Sequence, residues 1–228
     1  SIALTPVDNP TIYGVIETDE KGRVRRFVEK PGWDEVTTNM INAGIYIIEP
    51  EILERIPASQ PSMFEHDIFP SLLDEGKPML GYPSDAYWID IGTPEKYLKA
   101  HHDLLLQRGK EYIQIDGTSQ VEPGAGMEGP VMIAGNCVIA GGAIITGPAV
   151  LGEGCHIGDG SLIEGSILWD GVRTGNKAEI TNSVIGTGSR IEEECHVPAG
   201  CVLGDNVHLK SGYRMAENTK VEPDELLG

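Results

Sequence analysis

Aliphatic residues recur every six positions along the second half of the chain. Neither the 3.6-residue period of a helix nor the 2-residue alternation of a strand produces this spacing. An uninterrupted first series consists of Ile115, Val121, Met127, Ile133, Ile139, Ile145, Leu151, Ile157 and Ile163. Such a unit forms one short strand and a turn, and three units close one coil of a parallel β-helix. The pattern therefore predicts a β-helix whose aliphatic rungs point inward.

The same ladder continues after two five-residue units, from 163 to 168 and from 180 to 185. Its later rungs are Leu168, Thr174, Ile180, Ile185, Ile191, Val197, Leu203 and Leu209. A second, slimmer inward position follows each rung by four residues, and Ala, Val, Ser and Cys occupy it. We expect about five coils, which makes a rod roughly 24 Å long at ~4.8 Å per coil.

All four cysteines occupy the slim inward position, which predicts buried thiols that act as small apolar fillers. Cys137 and Cys155 are one coil apart, so their separation would permit a disulfide. No secretory signal accompanies them, and we expect free thiols. A cysteine metal site is not expected, because the chain has no CxxC motif.

Residues 1–112 follow a different pattern, in which strands and helices alternate as in part of an α/β domain. Apolar and alternating stretches predict a hairpin of residues 13–18 and 23–29, then strands at 41–48 and 87–91. Ser62 and Glu65 form a capping-box pattern for a helix over 64–74. Thr93-Pro94-Glu95 opens a second helix that runs to Arg108, and Gly109 ends it.

The composition suits a two-domain protein. The 228 residues carry a formal charge of −18, divided into −8 before residue 113 and −10 after it. This negative charge argues against a surface that binds nucleic acid or an anionic membrane. No apolar run approaches 18 residues, so we expect no membrane span. We expect a cytoplasmic location. Because the first residue is serine, we also expect the natural chain to be longer.

Several segments of the first half carry candidate chemistry. Glu29 and Lys30 end a strand, where the carboxylate can accept bonds from sugar hydroxyls and the ammonium can neutralise a phosphate; a solvated charge pair is the alternative. The amide of Asn42 stands beside two small residues, Ala43 and Gly44, and Gly14 is a glycine within a strand. Small residues at these places suit either a ligand that approaches the backbone closely or a strand bulge. Asp90 is a single carboxylate among apolar residues, where an acid is costly unless it has a partner. It could be a Mg²⁺ ligand, or it could cap a helix or form a buried hydrogen bond.

Taken in order, these segments resemble the C-terminal half of the sugar-1-phosphate nucleotidyltransferase domain, in members similar to mannose-1-phosphate guanylyltransferases that carry a β-helix tail. The matching segments are Tyr13-Gly14-Val15, Phe27-Val28-Glu29-Lys30-Pro31, Asn42-Ala43-Gly44-Ile45-Tyr46, Phe64 to Pro70, Trp88 to Pro94 and Asn182 to Gly186. The resemblance implies an α/β fold over 1–112, the C-terminal part of a Rossmann-like domain, then an all-β left-handed parallel β-helix over 113–228.

The resemblance also implies an activity and a role for each matched residue. The family transfers a nucleotidyl group from a nucleoside triphosphate (NTP) to a hexose-1-phosphate and releases pyrophosphate, with Mg²⁺ as cofactor. Gly14 would lie against the sugar, Glu29 and Asn42 would bind it with Gly44 beside them, and Lys30 would hold its phosphate. Asp90 would be one of two metal-binding aspartates. Lys30 and Asp90 are therefore the candidate catalytic residues.

One departure from the family keeps other functions open. The Gly-rich triphosphate loop and the first metal aspartate of the family have no counterpart in residues 1–228, so we expect these residues to be inactive by themselves. A non-catalytic regulatory or assembly subunit is one alternative, with the β-helix joining copies into a homo-oligomer. A β-helix acyltransferase is the other; its candidate bases, His156, His196 and His208, precede rungs and should point outward without forming one site.

Overall fold

The computed structural model describes residues 1–228, which divide into two compact units, 1–88 and 89–228. Each unit has a hydrophobic core of its own. The division falls before the boundary at 112/113 that the start of the repeat indicates. The two boundaries differ because the helix of residues 94–108 packs within the second unit.

Unit 1 is built on a five-stranded mixed sheet. Its strands are β1 (Ile2–Pro6), β2 (Gly14–Thr18), β3 (Val24–Glu29), β4 (Met40–Tyr46) and β5 (Gly81–Pro83), in the spatial order β3-β2-β4-β1-β5. The β2–β3 hairpin and β4 confirm the sequence-based prediction, whereas β1 and β5 were not predicted. Only the β1–β5 pair is parallel.

The helical segments of unit 1 cover one face of this sheet. The predicted helix over 64–74 is a wide π-helical stretch, Phe64–Ile68, followed by α1 (Phe69–Asp74); short 3₁₀ turns occupy Pro10–Ile12 and Pro50–Arg55. The predicted capping box is wrong, because Met63 is the N-cap and makes no side-chain cap bond. Asp67 instead accepts a hydrogen bond from the Met63 amide at 2.7 Å, and Glu65 bonds elsewhere.

Unit 2 begins with an irregular segment and a helix. The predicted strand over 87–91 is wrong, since these residues pair with no strand. Helix α2 (Pro94–Arg108) has the predicted bounds: Thr93 accepts a hydrogen bond from the Lys96 amide, and Gly109 ends the helix with φ of 127°. No helix of the protein is both long and apolar enough to cross a membrane.

The rest of unit 2 is a parallel β-helix with three faces. The first face contains Ile113–Ile115, Val131–Ile133, Ala149–Leu151, Ile167–Leu168, Val184–Ile185, Val202–Leu203 and Lys220–Val221. The second contains Gln120–Val121, Val138–Ile139, His156–Ile157, Arg173–Thr174, Arg190–Ile191, His208–Leu209 and Leu226–Leu227. The third contains Gly126–Glu128, Ile144–Thr146, Leu162–Glu164, Glu179–Thr181 and His196–Val197.

The predicted rungs form the core of this β-helix. Rungs from Ile133 to Leu209 are buried, and the six-residue spacing continues through Met215, Val221 and Leu227. The three faces contain nineteen strands, and three strands make one coil, so the β-helix has just over six coils and the prediction of about five was too low. The four cysteines are buried and free, as predicted, and each thiol donates to a backbone carbonyl.

Helix α2 packs on the first face of the β-helix. His102 Nε2 lies 2.8 Å from the Gly165 carbonyl oxygen, and the rings of Tyr97 and Trp169 meet edge to face. In the two five-residue units the slim inward position is taken by Ser166 and Ser183, three residues after the rung instead of four, so Ile167 and Val184 point outward. Because α2 covers them, they are only 2% and 8% exposed. Outward aliphatic residues on one face are therefore the sequence signal that this face is covered.

Candidate functional site

Three of the predicted sugar-binding residues lie in one row across neighbouring strands of unit 1. Glu29 on β3 pairs directly with Gly14 on β2. Val15 pairs with Ile41 on β4, which places Asn42 beside Gly14 in the antiparallel register. Directly paired residues project to the same face, so Glu29 and Asn42 flank a position that has no side chain.

The missing side chain at Gly14 provides the space that the Glu29 carboxylate occupies. A Cβ atom at this position would lie 2.8 Å from Glu29 Oε2 and 2.8 Å from Phe27 Cζ. Both distances are shorter than van der Waals contact. The conformation of Glu29 therefore depends on glycine at position 14.

Asn42 is held by a hydrogen-bond network that the sequence did not reveal. Its Nδ2 donates to the Tyr46 hydroxyl at 2.7 Å and lies 3.4 Å from Glu65 Oε1, while its Oδ1 accepts from the Gly44 amide at 2.9 Å. The Tyr46 hydroxyl donates to Glu65 Oε1 at 3.0 Å. Gly44 has φ of 74°, a left-handed conformation that glycine adopts at low cost. Tyr46 and Glu65 thus fix the orientation of the amide.

Burial and negative charge act together on Tyr46. Desolvation, the largest cause, and the neighbouring carboxylates Glu65 and Glu29 raise the pKa of Tyr46 to about 12. Its ring packs against Phe64 and Phe69, and Phe69 also meets Phe27. This aromatic layer between the sheet and the helical segments forms the floor beneath the polar row.

Lys30 follows the row at the end of β3. It adopts a left-handed backbone with φ of 47°, and its amide donates to the Tyr13 carbonyl oxygen at 3.0 Å. Its ammonium lies 3.9 Å from Glu29 Oε1, and the side chain is 68% exposed. The ammonium is consequently accessible to an anion beside the Glu29 carboxylate.

Trp88 braces the backbone next to Asn42. Its indole Nε1 donates to the Ala43 carbonyl oxygen at 3.0 Å, and its ring packs edge-on against Tyr13 with the centroids 5.6 Å apart. Trp88 therefore connects the strand that carries Gly14 with the strand that carries Asn42.

Asp90 belongs to the second compact unit, whereas the other five candidate residues belong to the first. Its Oδ2 lies 3.2 Å from Lys96 Nζ, and its side chain is 46% exposed. The chain contains no group of three or more His, Cys, Asp or Glu that could hold a metal ion. The residues present thus do not form a Mg²⁺ site on their own.

The three β-helix histidines do not come together. His156 and His208 lie on the second face, separated by the strands of Arg173 and Arg190, and His196 lies on the third face. His196 Nδ1 is 2.9 Å from Glu179 Oε2, and His208 Nε2 is 2.7 Å from Glu192 Oε1. The arrangement agrees with the expectation that they form no common site.

The geometry of unit 1 suits a polyhydroxylated anion. A carboxylate accepts hydrogen bonds from hydroxyl groups, an oriented amide provides both a donor and an acceptor, and an exposed ammonium attracts the anionic part. These three functions are provided by Glu29, Asn42 and Lys30, within one sheet and one turn.

Two protein families match successive parts of the chain. Residues 1–107 match the family described as nucleotidyl transferase, and residues 109–215 match the EIF2B subunit epsilon LbH domain, in which LbH denotes a left-handed β-helix. A hexapeptide transferase family protein from Anaplasma phagocytophilum, of known crystal structure, has a TM-score of 0.49 and 22% identity over 50% of this chain and 72% of that chain.

Similar proteins of known function cover both units. The UTP–glucose-1-phosphate uridylyltransferase of Synechocystis is 31% identical over 97% of this chain and 62% of its own length. The mannose-1-phosphate guanyltransferase of Schizosaccharomyces pombe is 34% identical over 93% and 58%, and that of Aspergillus fumigatus 36% over 92% and 56%. The chain thus spans about three-fifths of the length of these relatives. It therefore combines a nucleotidyl transferase domain over residues 1–107 with an LbH domain over residues 109–215, and the relatives that share this arrangement are named as sugar-1-phosphate nucleotidyltransferases.

Proposed function

We propose that this protein transfers a nucleotidyl group from an NTP to a hexose-1-phosphate, yielding an NDP-sugar and pyrophosphate, and that unit 1 holds the sugar phosphate. The observation that carries the proposal is the row of Glu29, Gly14 and Asn42 beside the exposed ammonium of Lys30. Relatives named uridylyltransferase and guanyltransferase support the reaction class.

Each residue of the row has a defined task in this proposal. Glu29 accepts hydrogen bonds from sugar hydroxyls, and Gly14 leaves room for the ring to approach the sheet. Asn42, with Gly44 beside it, presents an amide whose orientation Tyr46 and Glu65 fix. Lys30 neutralises the sugar phosphate, whose oxygen attacks the α-phosphorus of the NTP. Such a reaction depends on alignment and charge neutralisation more than on covalent catalysis.

The metal part of the proposal concerns Asp90. Nucleotidyltransferases of this family generally use a divalent metal, and we propose Mg²⁺ with Asp90 as one ligand. Because Asp90 pairs with Lys96 and no second carboxylate joins it, the other ligands must come from outside these residues.

The test is a kinetic comparison in the intact gene product, read by pyrophosphate release with common NTPs and hexose-1-phosphates. Lys30→Ala should raise the KM for the sugar phosphate at least tenfold and leave that for the NTP nearly unchanged, because only the former loses its counter-charge. Lys110→Ala, another exposed lysine, is the matched control. Equal effects of Lys30→Ala on both substrates would contradict its role.

Two further outcomes of the same assay separate the remaining possibilities. Asp90→Asn should abolish Mg²⁺-dependent pyrophosphate release while the circular dichroism spectrum stays unchanged, and retained activity would refute the metal assignment. If the intact product releases no pyrophosphate with any substrate pair, a regulatory or assembly subunit is favoured instead. We also propose a homo-oligomer joined through the β-helix, which sedimentation of the purified protein would test. Cell fractionation would test the cytoplasmic location that we propose.

A further inference from the structure

The second face of the β-helix carries a column of outward basic side chains. His156, Arg173, Arg190 and His208 stand on four consecutive strands and are paired in register. Neighbouring strands lie about 4.8 Å apart, so the two arginines project side by side into solvent. Its members are 17 or 18 residues apart in the sequence, which is one coil of the β-helix.

This column is unusual for the half of the chain that contains it. Residues 113–228 hold six Lys and Arg against sixteen Asp and Glu. Yet neither Arg173 nor Arg190 forms an ion pair. Like charges directly opposite each other on neighbouring strands destabilise a sheet. The two guanidinium groups therefore repel each other in a protein that has carboxylates to spare.

One of the two carboxylates that line this face is already engaged. Glu192 bonds to His208 at 2.7 Å and accepts from the Ser211 amide and hydroxyl at 2.9 and 2.8 Å. These contacts, led by His208, lower the pKa of Glu192 to about 2. Glu193 is the other acid at the rim. Neither acid forms a salt bridge with an arginine of the column, which leaves both guanidinium forks available.

A groove of about 450 Å³ lies against the two arginines. Its lining includes Asn176, whose Oδ1 accepts a hydrogen bond from the Asp159 amide. Guanidinium groups bind phosphate oxygens with two parallel hydrogen bonds, and two such groups on adjacent strands match the oxygens of one diphosphate. The groove thus combines a concave shape with paired donors.

We propose that this groove is a binding site for a small phosphate-bearing anion, held between Arg173 and Arg190. The ligand neutralises the like-charge pair that the β-helix places in register. The site is formed by unit 2 alone and does not depend on the function proposed for unit 1.

Calorimetric titration with inorganic pyrophosphate tests the site. Arg173→Gln and Arg190→Gln should each weaken binding at least tenfold, and the double variant should abolish it. Arg214→Gln is the matched control: Arg214 is exposed, belongs to the same β-helix and lies beside His196 on the third face. Lys30→Gln controls for binding in unit 1. Both controls should bind pyrophosphate as the unmodified chain does.

Thermal unfolding supplies a second measurement. Without ligand, Arg190→Gln should melt at the same temperature as the unmodified chain or higher, because the repulsion is removed. Pyrophosphate should raise the melting temperature of the unmodified chain and of both controls, and should raise that of Arg190→Gln much less. Unchanged affinity in both arginine variants, or an equal loss in Arg214→Gln, would overturn the proposal. Loss of all binding in Lys30→Gln would do so as well, since it would place the anion in unit 1.

Discussion

Gly14 shows how a single missing side chain shapes the candidate site. The Glu29 carboxylate and the Phe27 ring both occupy the space that a Cβ atom would need. Glu29 is thereby held across the strand in the row that contains Asn42. The φ angle of Gly14 is not in the left-handed region, so its backbone conformation does not require glycine. Glycine is required because the Glu29 carboxylate and the Phe27 ring come so close to the backbone.

Replacement of Gly14 by alanine should therefore displace Glu29. We expect a loss of about 1–3 kcal/mol in the free energy of unfolding, as in other overpacked sites, together with a raised KM for sugar phosphate in the intact gene product. Urea denaturation and steady-state kinetics measure the two effects. Gly117→Ala is the control, because its Cβ would meet nothing within 4 Å. Identical behaviour of the two variants would show that Gly14 is not a close-approach position.

The phenol of Tyr46 provides a titration test of the polar network. A pKa raised from 10.0 to about 12 means that the unfolded chain ionises this tyrosine first as the pH rises. Its contribution to stability is then complete below pH 10 and is lost between pH 10 and about 12. Tyr46→Phe should lose less stability over that interval than the unmodified chain, measured by denaturation at each pH. The difference in absorbance at 295 nm between the two native proteins reports the ionisation of Tyr46 and should have its midpoint near pH 12. A midpoint near pH 10 would contradict the network.

Part of this site was accessible from the sequence, and part was not. The sequence indicates Glu29, Lys30 and Asn42 because each is a polar residue next to the apolar residues of a predicted strand. Glu65 was assigned to a capping box on its spacing from Ser62, yet it bonds to Tyr46 across the sheet. Such a tertiary contact has no local spacing that would reveal it. The alternation of positions 42, 44 and 46 on one strand was the available signal for Tyr46.

At the scale of elements, prediction succeeded where the local signals agreed. Helix α2 has its cap, proline and terminal glycine in order and appears with the predicted bounds. The stretch 87–91 is apolar, but Trp88 turns its indole to the Ala43 carbonyl oxygen and its backbone joins no sheet. Strands β1 and β5 are short, and their pairing depends on partners far along the chain. The last coil was missed although Met215, Val221 and Leu227 continue the six-residue spacing, because the predicted ladder was ended at Leu209.

The rungs should differ in their contribution to stability according to their place along the β-helix. Ile145 lies in the middle and is fully buried, whereas Ile115 in the first coil is 38% exposed. Ile145→Ala should cost about 2–5 kcal/mol, since it leaves a cavity between two coils. Ile115→Ala should cost well under half of that. Denaturant titration of both variants measures the difference, and equal losses would contradict a core shared along stacked coils.

At the scale of the whole molecule, the two units divide the chemistry between them. The polar row, with its network and exposed lysine, lies in unit 1, while the β-helix core is aliphatic and holds every cysteine of the chain. Burial raises the pKa of the Cys195 and Cys201 thiols, which further lowers their reactivity. Thiol reactivity consequently reports on the β-helix alone.

A thiol-specific reagent should therefore react slowly with the native protein and with four thiols per chain after unfolding in denaturant. The reason is that each sulfur is buried and bonded to a carbonyl oxygen, so that the coils must separate before attack. Reductant should leave the midpoint of unfolding unchanged. A count of two thiols in denaturant, restored to four by reductant, would show instead that Cys137 and Cys155 form a disulfide across neighbouring coils. Fast reaction of the native protein would show that the β-helix opens at least one coil without unfolding.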